Sequence, residues 1–137
     1  GYHMKCSEMN AAFGLVQLKR FNNFSKIRRN NFERYLHNLQ GVGDLILPDD
    51  SKKPHWLAIP LQTSQRFELL SHLENNNVQT RVTFAGNVTR HPIFREYLQD
   101  FEHSDLIMRN GFLLGAHHGL TTDDVDFVCA KIIEFFK

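Results

Sequence analysis

The segment AGNVTRHPIF, Ala85 to Phe94, carries more hydrogen-bonding groups than a chain reversal needs. Gly86 can take a positive φ and Asn87 can close a turn through its own side chain, which is enough to redirect the backbone. Thr89, Arg90 and His91 are left over. A guanidinium offers a planar fork that matches two oxygens at once, so Thr89, Arg90 and His91 read as groups placed for a ligand. The plainer alternative is a capped turn with a surface arginine.

Other chemistries find less support. A hydrolytic nucleophile would need a setting such as G-x-S-x-G, which the chain lacks. It also lacks the G-x-x-x-x-G-K-[ST] phosphate loop and the G-x-G-x-x-G dinucleotide turn. Of 8 histidines, only His117 and His118 are adjacent. Neighbouring side chains on an extended segment point to opposite faces, so a shared metal ion is disfavoured and a tight turn between Gly115 and Gly119 explains the pair better. Cys6 and Cys129 give neither metal spacing nor a disulfide framework, and both are expected as buried small hydrophobes. Lys26, Arg28, Arg29 and Arg34 are interleaved with Phe32 and Tyr35 as on some nucleic-acid faces. Those aromatics already serve an apolar stripe, and a solvated helix face is expected.

The elements that must hold the loop follow from periodicity. A helix is expected from Ser7 to Phe21, apolar on more than one side, and such a helix belongs between two bodies rather than on a surface. A second is expected from Phe24 to Leu39, with Phe32, Tyr35, Leu36 and Leu39 inward and Gly41 and Gly43 ending it. DLILP (44–48) and HWLAIPL (55–61) read as short strands, the latter an edge or bulged strand because of Pro60. Ser64 can cap a helix to Glu74 with Phe67, Leu70 and Leu73 inward, ended by Asn75, Asn76 and Asn77. VQTRVTF (78–84) alternates as a half-buried strand, leading into the loop. A short helix near Pro92, a strand at FLLGA (112–116) and a last helix to Phe136, opened by Thr121 and Asp124, complete an α+β arrangement.

At 137 residues and 42% hydrophobic content the chain suits one soluble globular domain, residues 1–137. Its 16 basic and 15 acidic residues nearly cancel, so charge predicts no nucleic-acid or membrane partner. No apolar run approaches a membrane span, and the cysteine usage suits a reducing, cytoplasmic setting. GYHM at the start resembles a cloning remnant.

Three ordered stretches carry a resemblance. GYHMKCSEMNAAFGLVQLKRF resembles the G-Y-N-x-[KR]-x-[ST]-[DE]-x-x-A-A-x-G-x-x-Q-L motif of the DegT/StrS-type, vitamin-B6-dependent sugar aminotransferases. VQTRVTFAGNVTRHPIF is similar to the F-A-G-N-x-T-R-x-P loop of their nucleotide-sugar 3-dehydratase branch. DLIMRNGFLLGAHHGLTTDDVDFV resembles that branch's closing segment.

The resemblance implies a fold: the small C-terminal domain of a fold-type I enzyme, a short, mostly antiparallel sheet with helices packed on it. It implies that a larger N-terminal cofactor domain is absent, and that the fragment alone neither binds pyridoxal or pyridoxamine phosphate tightly nor catalyses. None of the 7 lysines sits in the family's catalytic context, so no catalytic residue is assigned. Lys5 matches the basic residue, and His3 the asparagine position, that reach the cofactor phosphate across a homodimer; histidine there departs from the motif. Asn87, Thr89 and Arg90 match the loop over the nucleotide-sugar substrate. The implied activity is removal of the C3 hydroxyl from a 4-keto-6-deoxyhexose. A sugar aminotransferase is less favoured because that branch carries a histidine-tyrosine-proline loop where this chain has AGNVTR, and a non-catalytic interaction domain is the remaining alternative. No metal ligand set is assigned.

Overall fold

The computed structural model describes residues 5–137. Ser7 opens the longest element: its hydroxyl accepts from the Asn10 amide at 3.3 Å, and α1 (Glu8–Leu39) runs unbroken for 32 residues, about 48 Å at 1.5 Å per residue. The two helices expected either side of Asn22 and Asn23 are therefore one. Asparagine is only a weak helix former, and without glycine or proline at the join nothing breaks the ladder. Phe32, Tyr35 and Leu39 are buried, and Gly41 at φ 75° lets the chain leave the helix.

Three antiparallel strands form the sheet: β1 (Ala58–Gln62), β2 (Arg81–Val82) and β3 (Gly111–Gly115), in the order β1-β3-β2. Ala58 lies opposite Gly115, and Arg81 opposite Leu113. Pro60 sits on an edge strand, as its chemistry requires. The Gln62 amide bonds outward to the Ile46 carbonyl at 3.2 Å, so the Pro60 nitrogen two residues away also faces outward and the ladder to β3 loses nothing. DLILP contributes only the bridge from Ile46 to Gln62. VQTRVTF pairs for two residues because its first part folds back on the preceding helix: the Val78 amide donates to Leu73 and the Thr80 hydroxyl to Glu74.

The remaining helices are α2 (Arg66–Asn75), α3 (Glu102–Asn110) and α4 (Thr122–Phe135). Ser64 does not cap α2; its amide and hydroxyl both go to Asp44, and α2 starts after Gln65 without a side-chain cap. Leu69 and Leu73 are buried and Leu70 is half-buried against the core, while Phe67 is exposed. Asn77, at φ 61°, takes the expected left-handed geometry after the helix. Thr121 and Asp124 form a reciprocal capping box at the start of α4. α4 packs on both α1 and α2, and one core joins Phe32, Leu39, Ile59, Leu61, Phe112, Leu114, Val125 and Ile132.

The basic side chains of α1 are not simply solvated. Arg29 forks onto Asp50 and reaches Glu33, and Arg34 forks onto Asp126 of α4. Cys129 is buried, which pushes its thiol up to about 12, whereas Cys6 is exposed. Cys6 differs from expectation because it precedes the part of α1 that no described element covers.

Candidate functional site

The site is built at the end of the sheet, where the chain leaves β2. Phe84 adopts φ 44° and Gly86 φ 60°, two left-handed residues that fold the loop back on itself. Gly86 lies directly on Met108 of α3, so any Cβ there would collide with that side chain. Asn87 then caps a 3-10 turn over Val88–Arg90 by accepting from the Thr89 amide at 3.1 Å. Pro92 opens a second 3-10 segment to Tyr97, and α3 follows.

Asn87, Thr89 and Arg90 come together, and their side chains face the protein. Asn87 is 2% exposed. Its Nδ2 donates to the Gln99 carbonyl and to Asp105, each at 2.9 Å, while its Oδ1 accepts from the Thr89 amide and hydroxyl. The single Thr89 hydroxyl proton is shared between Asn87 Oδ1 and the Gln99 carbonyl, and the hydroxyl oxygen accepts from the Gln99 amide. Arg90 places Nε and Nη2 on the two carboxylate oxygens of Asp105, and Nη2 also reaches Asp100 at 2.6 Å. The Arg90 guanidinium holds the Asp105 carboxyl well below the usual carboxylate range, with the Asn87 amide adding to the effect against burial. His91 bonds the Ala85 carbonyl.

The loop is thus a clasp between its own first turn and α3. Phe84, 88% exposed, and Val88 project outward. Asp105 was not foreseen as a member of this group, and α3 was not foreseen as an element. The available signal was weak: Arg90 needed a carboxylate, and sequence offers several acids without choosing among them.

Lys5 is exposed beside the start of α1. His3 lies outside the described residues. His117 and His118 form the expected turn: the His117 ring accepts from the Gly119 amide at 3.1 Å, its carbonyl accepts from Asn31, and His118 stacks on Phe24 with ring centroids 3.9 Å apart.

Comparison with known proteins extends this geometry. The lipopolysaccharide biosynthesis protein RfbH of Salmonella typhimurium is 34% identical over 99% of this chain and 34% of its own length. The dTDP-4-dehydro-2,6-dideoxy-D-glucose 3-dehydratase of Saccharopolyspora spinosa is 32% identical over 98% of this chain and 32% of its own length. The chain therefore spans about a third of these relatives. In fold it is similar to the Escherichia coli GDP-4-keto-6-deoxy-D-mannose-3-dehydratase solved with bound hydrated PLP, with TM-score 0.85 at 22% identity over 100% of this chain and 37% of that one. A family model matches residues 1–133, which takes in the first helix, the clasped loop and most of α4: the chain belongs to the DegT/DnrJ/EryC1/StrS aminotransferase family.

Proposed function

We propose that the chain is the C-terminal part of a longer nucleotide-sugar 3-dehydratase that uses pyridoxal or pyridoxamine phosphate and removes the C3 hydroxyl of a 4-keto-6-deoxyhexose. The observation that carries this is likeness along nearly the whole chain to a 3-dehydratase. The AGNVTR loop supports dehydration over amino transfer, because its sequence resembles the dehydratase branch at the position where the aminotransferase branch differs. When bound, the cofactor supplies the electrons that expel the hydroxyl.

The residues at the start of the chain fit a phosphate. An exposed lysine beside the N-terminus of a long helix is opposite in charge to a phosphate, though Glu8 of the first turn offsets part of it. In this reading Lys5, with His3, meets the cofactor phosphate of the partner in a cytoplasmic homodimer. The loop from Phe84 to Arg90 lies over the sugar; Asn87 and Thr89 hold its shape, and Arg90 faces the substrate with the part of its guanidinium left open.

The apolar residues of the N-terminal half of α1 belong under the missing N-terminal domain and the dimer partner. Met9 is 82% exposed, Phe13 68% and Leu18 69%.

Sugar amino transfer is the second reading, favoured by the family's description as aminotransferases. Mass spectrometry decides between the two. The full-length protein is incubated with GDP-4-keto-6-deoxy-D-mannose, or its dTDP-glucose counterpart, plus cofactor and glutamate. A product lacking the C3 oxygen is expected; an amino sugar would establish the second reading, and an unchanged substrate would overturn both.

A further inference from the structure

Resting on the nucleotide-sugar reading above, we infer that Asp105 is a positioning residue, holding Arg90 so that Nη1 is presented to a neutral oxygen of the sugar and not to the diphosphate. Asn87 and Thr89 have all their side-chain donors committed within the clasp. Arg90 uses Nε and Nη2 on Asp105 and Asp100. Among the described residues Nη1 receives no partner, and the Arg90 side chain is 37% exposed. Of the three loop side chains, Arg90 alone keeps an open donor.

The forked contact fixes the direction of that donor. Two parallel N–H bonds to one carboxylate hold the guanidinium in a single plane, and Asp105, its side chain 7% exposed, is itself held by Asn87 and by its place in α3. Nη1 is therefore aimed by a largely buried carboxylate.

Charge decides what it is aimed at. One guanidinium facing the carboxylates of Asp105 and Asp100 leaves no net positive charge, so a diphosphate gains little by approaching it. A hydroxyl or carbonyl oxygen loses little by that net negative charge, since it needs only an oriented N–H. The clasp converts an arginine from an anion receptor into a directional donor.

The test uses the full-length protein and two pairs of probes: GDP-4-keto-6-deoxy-D-mannose against GDP, and the dTDP sugar against dTDP. Asp105→Asn should weaken binding of the preferred nucleotide sugar by about tenfold, the scale of one lost hydrogen bond to a charged group, and leave the matching nucleoside diphosphate within about twofold, well under the tenfold worth of such a bond. If Asp105→Asn does not fold, Arg90→Lys serves instead: it retains the charge, removes the planar Nη1 donor and should give the same selective loss. Equal loss for both members of a pair would overturn the inference in favour of a diphosphate contact, and unchanged affinity for both would reduce Asp105 to a structural clasp. Wild-type protein that binds neither nucleotide sugar would overturn the substrate reading itself, a result distinct from either.

Discussion

Asp105 ties the loop to α3 through a carboxylate kept ionised by Arg90 and Asn87, and that makes an acid-sensitive contact. A carboxyl whose folded pKa is depressed contributes stability that is fully present above its unfolded value, about 3.9, and is lost as pH falls through the folded value. Melting temperatures of the wild type and Asp105→Asn should differ by a constant amount from pH 7 to pH 5 and converge below about pH 4. Asn87 acts without charge. Asn87 is itself 2% exposed, and Asn87→Ala takes its donors from the Gln99 carbonyl and Asp105 and its acceptor from the half-buried Thr89 amide, so a denaturant melt should show a loss of about 1–3 kcal/mol, the cost of unpairing polar groups inside the protein. At this scale the chain was half legible: AGNVTR announced a polar cluster, while the direction in which its side chains point depended on a helix fifteen residues away.

Elements differ in how far their own sequence determines them. The capping box of α4 is local, and Thr121→Ala should cost about 1 kcal/mol in a denaturant melt, since it removes the acceptor for the Asp124 amide. Gly86 is set by its surroundings as well: Gly86→Ala adds strain at φ 60° and a clash with Met108, and should lower the melting temperature by several degrees, as about 1–3 kcal/mol would in a domain of this size. β3, α4 and the end of α2 at Asn77 could be read from nearby residues, because caps and short apolar runs act over a few positions. β2 could not. The alternation of VQTRVTF suits a strand, yet Val78 and Thr80 gain more by bonding back to Leu73 and Glu74 of α2. Ser64 fails as a cap for a similar reason, since Asp44 reaches it from twenty residues upstream.

For the molecule as a whole, α1 divides into a half that belongs to the core and a half that does not. Met9, Phe13, Val16, Leu18 and Phe21 stand exposed along the latter, on more than one side of the helix, more bare apolar surface than monomers usually show. Sedimentation of this chain alone should reveal concentration-dependent association, and Phe13→Glu with Leu18→Glu should abolish it while leaving the melting transition in place. That apolar residues lie on more than one side of this helix was visible in its sequence; its continuity was not, because Asn22 and Asn23 imitate a break. The sheet adds a separate rule for how copies can meet. On the β1 side, Pro60 turns its nitrogen outward and Ile46 bridges Gln62, while on the β2 side Arg81 and Val82 have no outer strand among the described residues. The outward-facing Val82 already gives its carbonyl to the Phe84 amide, so neither edge presents a free ladder to another strand. Copies of this chain therefore do not meet strand to strand: the sheet is stoppered at both edges against fibril growth.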